Sequence, residues 1–97
     1  MKQDDFMFTV GYNGDESIVN KQTEMAGKGL SVKELVDKGL FKPALCASLM
    51  NDDKDGIKYL MDTYNKISGS NYHSEMQIMR LFGVYSVPDK ITKVKRL

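Results

Sequence analysis

The 97-residue sequence predicts an α+β domain, an N-terminal β-hairpin packed against a small bundle of about four short helices. Three observations lead there. An aromatic and β-branched run is broken by Asn13-Gly14, an apolar stripe of 3.6-residue period runs from Ile57 to Ile67, and Ser31 and Ser74 each begin a helix-opening pattern. A chain of this length has room for one core, so residues 1–97 are read as one domain.

The hairpin is expected over about residues 6–20. Phe6 to Tyr12 is rich in strand-forming residues, Ser17-Ile18-Val19 resumes the apolar character, and Asn-Gly tolerates the positive φ angles of a type I′ turn. A two-residue loop there would pair Tyr12 with Asp15, Val10 with Ser17 and Phe8 with Val19. Phe6, Phe8, Val10, Tyr12 and Val19 then share a buried face.

Residues 20–30 show no clean period and read as a connection, with a turn of helix around Thr23 to Ala26. Gly27-Lys28-Gly29 lacks the full spacing of a phosphate-binding loop and reads as flexible chain. Ser31-Val32-Lys33-Glu34 is a capping box, opening a helix over about 31–38 that buries Val32, Leu35 and Val36 and ends at Gly39.

Pro43 suits a first helical turn, and Ser48 is the one polar residue between Ala44 and Met50. A helix apolar all round is buried, so 43–50 is expected at the centre of the core. Over about 53–67, Ile57, Leu60, Met61, Tyr64 and Ile67 form one helical stripe closed by Gly69. Ser74-Glu75-Met76-Gln77 opens the last helix, about 74–82, which stops before Gly83. Val84 to Val87 and Ile91 to Val94 each read as a short strand or as extended chain. The last five residues are expected to be dispensable to the fold.

Charge excludes little by itself: fourteen basic residues against thirteen acidic give +1. That balance argues against long-range attraction to nucleic acid or anionic membrane as the main mode of action. Residues 88–97 nonetheless hold Lys90, Lys93, Lys95 and Arg96 against Asp89 alone, a basic tail able to contact phosphates. A lone Cys46 rules out an intramolecular disulfide, no charged-then-apolar leader opens the chain, and apolar runs stay far below the roughly 20 residues that cross a bilayer. A cytoplasmic protein without a membrane partner is the resulting expectation.

The sharpest local motif is Asn51-Asp52-Asp53-Lys54-Asp55-Gly56 with Asp62 at the twelfth position, which resembles an EF-hand calcium loop. Asn at position one, Lys58 at position eight and the short Asp62 depart from that pattern. The period of Ile57, Leu60, Met61 and Tyr64 also implies helix where the loop would have to curl. Acidic residues in a first helical turn explain the same letters. One thiol, Cys46, and one imidazole, His73, do not make the usual zinc site or an evident nucleophile and base pair. No catalytic residue, metal site or cofactor is assigned.

The remaining anomaly is apolar. At 100° per residue Met76, Ile78, Met79, Leu81 and Phe82 cover roughly 220°, wider than the 100 to 140° that one core requires. Met76 and Met79 fall on one shoulder of that arc, Phe82 near its middle, and Ile78 and Leu81 on the other shoulder. Seven methionines add adaptable thioethers. The leading expectation is therefore a non-enzymatic protein–protein interaction or regulatory module, in one form a homodimer, with Tyr59, Met76, Met79 and Arg80 as contact residues. The alternatives are a nucleic-acid accessory protein acting through Lys90, Lys93, Lys95 and Arg96, and a degenerate calcium module.

Overall fold

The computed structural model describes residues 1–97 as an α+β fold of six helices and three strands. The order is α1 (Gln3–Met7), β1 (Thr9–Asn13), β2 (Glu16–Val19), α2 (Lys21–Gly27), α3 (Val32–Asp37), α4 (Phe41–Met50), α5 (Lys54–Ser68), α6 (Glu75–Phe82) and β3 (Lys93–Arg96). The sheet runs β1-β2-β3, with β1 antiparallel and β3 parallel to β2.

The expected buried face of the hairpin is corrected in two ways. Phe6 belongs to α1 and Phe8 caps it, so both reach the core from a helix and its cap, while Val10 is 58% exposed and Tyr12 48%. The turn is Gly14-Asp15, one residue later than expected, because Asn13 pairs with Glu16 and Tyr12 with Ser17. Gly14 has φ of 62° and Asp15 does not share the positive sign, the pattern of a type II′ rather than a type I′ turn. Further along the ladder the register shifts at a bulge at Val10, so that Thr9, and not Phe8, faces Val19.

Residues 20–30 form more helix than the sequence suggested. Asn20 caps α2 by accepting from the Thr23 amide at 2.9 Å. Gly27 is buried rather than flexible: a Cβ there would stand 2.9 Å from Phe8 Cε1 and 3.0 Å from Leu35 Cδ2. That close approach is what the glycine permits.

The Ser31 capping box forms in both directions, the Ser31 amide donating to Glu34 Oε1 at 3.1 Å and the Glu34 amide to Ser31 Oγ at 3.2 Å. The Ser31 amide and, after it, the nearby Ser31 hydroxyl hold the Glu34 carboxyl below its ordinary range. Leu35 and Val36 are buried, and Gly39 ends the turn at φ of 80°.

α4 lies at the centre, as its all-apolar sequence predicts, touching α1, α3 and α5. Ala44, Leu45, Cys46 and Ala47 are buried, and Ser48 Oγ, also buried, has no hydrogen-bond partner. α5 starts when Asp53 Oδ1 accepts from the Gly56 amide at 2.9 Å. Helix therefore runs from Lys54 through Asp62, and the twelve-residue calcium-loop shape is not formed. Ile57 and Leu60 are buried, but Ile67 is 70% exposed, so the predicted stripe leaves the core one turn early.

The end of the chain is the largest correction. Residues 93–96 are a strand rather than a free tail: β3 lies along β2 with Ser17 beside Val94 and Val19 beside Arg96. The Leu97 amide donates to Val19 O at 3.0 Å, and the Lys21 amide to Leu97 O at the same distance. A hairpin this short is marginal in water, and the third strand covers the edge of β2.

Candidate functional site

The last helix presents the surface that the sequence singled out. Ser74 Oγ accepts from the Gln77 amide at 3.3 Å, while Gln77 Oε1 accepts from the His73 amide at 2.9 Å, so the expected capping box closes on the residue before the cap. His73 is thereby part of an exposed turn.

Ile78 is fully buried, Met79 is half-buried, and Phe82 enters an aromatic cluster. Its ring lies 5.6 Å from Tyr64 in an edge-on pose and 6.3 Å from Phe41, stacked. The core thus takes Ile78 and Phe82, and of the expected Met76 and Met79 shoulder Met76 is exposed while Met79 is half-buried. Outward lie Met76, 50% exposed, Gln77, Arg80 and Leu81, 39% exposed. Tyr72 joins Gln77, Arg80 and Leu81 around a shallow groove. Arg80 makes no ion pair within the chain; Lys54 instead holds Glu75, Nζ to Oε2 at 3.1 Å, which raises the lysine above its ordinary range.

Tyr59 is not brought to this surface. Its phenol donates to Asp37 Oδ1 at 2.5 Å and Lys33 Nζ stands 5.5 Å from its ring centre, so its contacts are to α3. The bond to Asp37 comes first among the causes that raise the Tyr59 phenol above its ordinary value.

The basic tail divides by strand alternation. Arg96 is exposed but paired within the chain, Nη2 to Asp5 Oδ1 at 2.5 Å and Nε to Glu24 Oε1 at 3.6 Å. Lys93 and Lys95 point from the opposite face, Lys93 beside Glu16 in register, and Lys90 is exposed in the segment before the strand.

A further feature escaped the sequence because four separate segments build it. The chain after α6 passes over α4, and a cavity of about 200 Å³ forms between them, with Phe6, Val84 and Pro88 as apolar wall. Thr9, Tyr12, Lys42 and Ser86 supply its polar groups, with Cys46 also lining it. Burial pushes the Cys46 thiol up to about 12, with Lys42 one helical turn away opposing the shift. A thiol held neutral to that extent is a poor nucleophile. Burial, then the neighbouring Cys46, raises the Tyr12 phenol as well.

No helix is long and apolar enough to cross a membrane. No protein-family model, no characterised protein and no solved structure matches this chain.

Proposed function

We propose that the chain acts as a non-enzymatic protein-contact module and that the outer face of α6 binds a second copy of itself. The observation that supports this most is the sequence of that face. Met76, Gln77, Arg80 and Leu81 read apolar, polar, polar, apolar, and so read the same in both directions along the helix.

A two-fold interface needs a surface complementary to itself. Two α6 helices packed antiparallel about a dyad midway between Ile78 and Met79 would lay Met76 on Leu81 of the second copy and Gln77 on its Arg80. An unpaired arginine beside an exposed methionine and a half-buried tyrosine also matches residue types enriched at interfaces. Eight helical residues span only about 12 Å, so the contact is expected to be weak, with Kd in the micromolar range or above.

Sedimentation of the wild type across a wide concentration range tests it. Concentration-dependent dimerisation, weakened by Met76→Gln and by Leu81→Gln with stability changed by less than about 1 kcal/mol, supports the reading. A wild type that stays monomeric at millimolar concentration removes it. The nucleic-acid alternative now rests on Lys90, Lys93 and Lys95, and predicts a salt dependence with a logarithmic slope of about three at most.

A further inference from the structure

We propose that the cavity over Cys46 binds a small organic monocarboxylate, the carboxylate held at Lys42 and the apolar body lying against Phe6, Val84 and Pro88. This inference is independent of the contact assigned to α6.

The charge of the lining decides the sign of the ligand. Lys42 is the one charged residue that borders the cavity, no carboxylate lines it, and Lys42 has no ion-pair partner in the chain. A cation there is met by no protein charge. Of the remaining polar groups the Thr9 hydroxyl is taken up by Asp5 O and Ser17 Oγ, while the Tyr12 phenol and the Ser86 hydroxyl can donate. The Tyr85 and Ser86 amides, in the same wall, have no protein acceptor.

Size and polarity narrow the class. About 200 Å³ falls below the roughly 300 to 1,000 Å³ of pockets for drug-sized molecules, so a nucleotide or a sugar phosphate is too large. Half of the lining residues are apolar, which a free inorganic anion would leave unused and which an aromatic or branched aliphatic body would cover. Cys46 takes no chemical part. Its thiol is part of the wall.

The test uses the full chain and benzoate as the probe, followed in amide NMR spectra. Saturable shifts at Thr9, Tyr85 and Ser86 are expected. Benzyl alcohol, of the same shape without the charge, should bind at least about tenfold more weakly, the scale of one lost charge-assisted hydrogen bond. Lys42→Met keeps the apolar stem and should weaken benzoate by about tenfold while leaving benzyl alcohol unchanged. Shifts that do not saturate, equal binding of benzoate and benzyl alcohol, or full benzoate affinity in Lys42→Met would each overturn the proposal. Should that variant fail to fold, benzylammonium on the wild type decides: binding as tight as that of benzoate overturns it, and absent binding supports it.

Discussion

Arg96 Nη2 lies 2.5 Å from Asp5 Oδ1, a charge-assisted hydrogen bond between residues 91 positions apart that fastens the last strand to the first helix. Asp5 is buried and Arg96 is exposed, so the two partners are not equivalent. Removing the arginine leaves a carboxylate in a desolvated place, whereas neutralising the aspartate leaves a guanidinium that water can solvate. Arg96→Ala is therefore expected to lower the denaturant midpoint more than Asp5→Asn does. Equal effects would contradict this asymmetry.

Deleting Lys93 to Leu97 removes the β2–β3 ladder, the two bonds made by Leu97 and the packing of Val94 on the core. A few backbone hydrogen bonds at about 1 kcal/mol each, with one half-buried valine, suggest a loss of about 2 to 4 kcal/mol. That is a large part of the stability of a domain this small. Urea melts of the full and shortened chains measure the difference, and an unchanged midpoint would show that the strand contributes nothing.

Gly56 of α5 lies close against Ser48 of α4. A Cβ on Gly56 would stand 2.6 Å from Asp53 Oδ2 and 2.8 Å from Ser48 Oγ. Gly→Ala inside a helix ordinarily gains up to about 1 kcal/mol. Here it must displace the Asp53 cap and a buried hydroxyl, so Gly56→Ala is expected to destabilise by about 1 to 2 kcal/mol. Ser48→Ala removes an unpartnered hydroxyl and should be neutral or stabilising by up to about 1 kcal/mol. In the double variant it should recover part of the Gly56→Ala loss, measurable as a coupling energy.

Burial moves the Cys46 thiol from an ordinary 9.0 to about 12, which fixes the sign of a pH effect. The folded state keeps its proton where the unfolded chain has lost it. The associated stability is complete below about pH 9 and falls as pH rises toward 12, by at most about 1.4 kcal/mol per pH unit. Tyr12, also raised by burial, contributes in the same direction, so Cys46→Ala isolates the thiol. The variant should be less stable at pH 7 and lose less stability than the wild type between pH 9 and 11. Parallel pH profiles would mean that the thiol is not desolvated.

Much of this architecture is legible where a single segment carries its own signal. The Ser31 box, the α4 run and the cap at Asp53 are local, and residues three or four apart decide them. The hairpin was legible as a hairpin but not in register, because Asn13-Gly14 and Gly14-Asp15 both offer a glycine for the corner and a bulge at Val10 hides the slip. β3 was not legible. Lys93-Val94-Lys95-Arg96 has one apolar residue, and its pairing depends on β2, some 75 residues away, and on the carboxylates of Asp5 and Glu24. On α6 the wide apolar arc was visible, but which part faces outward depended on Phe41 and Tyr64, which draw Phe82 inward. The cavity had no sequence signal, since Phe6, Tyr12, Lys42 and Ser86 share no period.

Antiparallel pairing of α6 with a second copy fixes a register that mixed-cysteine cross-linking can read. In a Cys46→Ala background, Met76→Cys and Leu81→Cys are made in separate chains of different mass and mixed under mild oxidation. A disulfide forms readily only when the Cβ atoms approach to about 4 Å, so only residues that face each other across the dyad should join. The expected result is that the mixed dimer exceeds both like-with-like dimers several-fold. Equal yields of all three, or a dominant like-with-like product, would contradict the pairing.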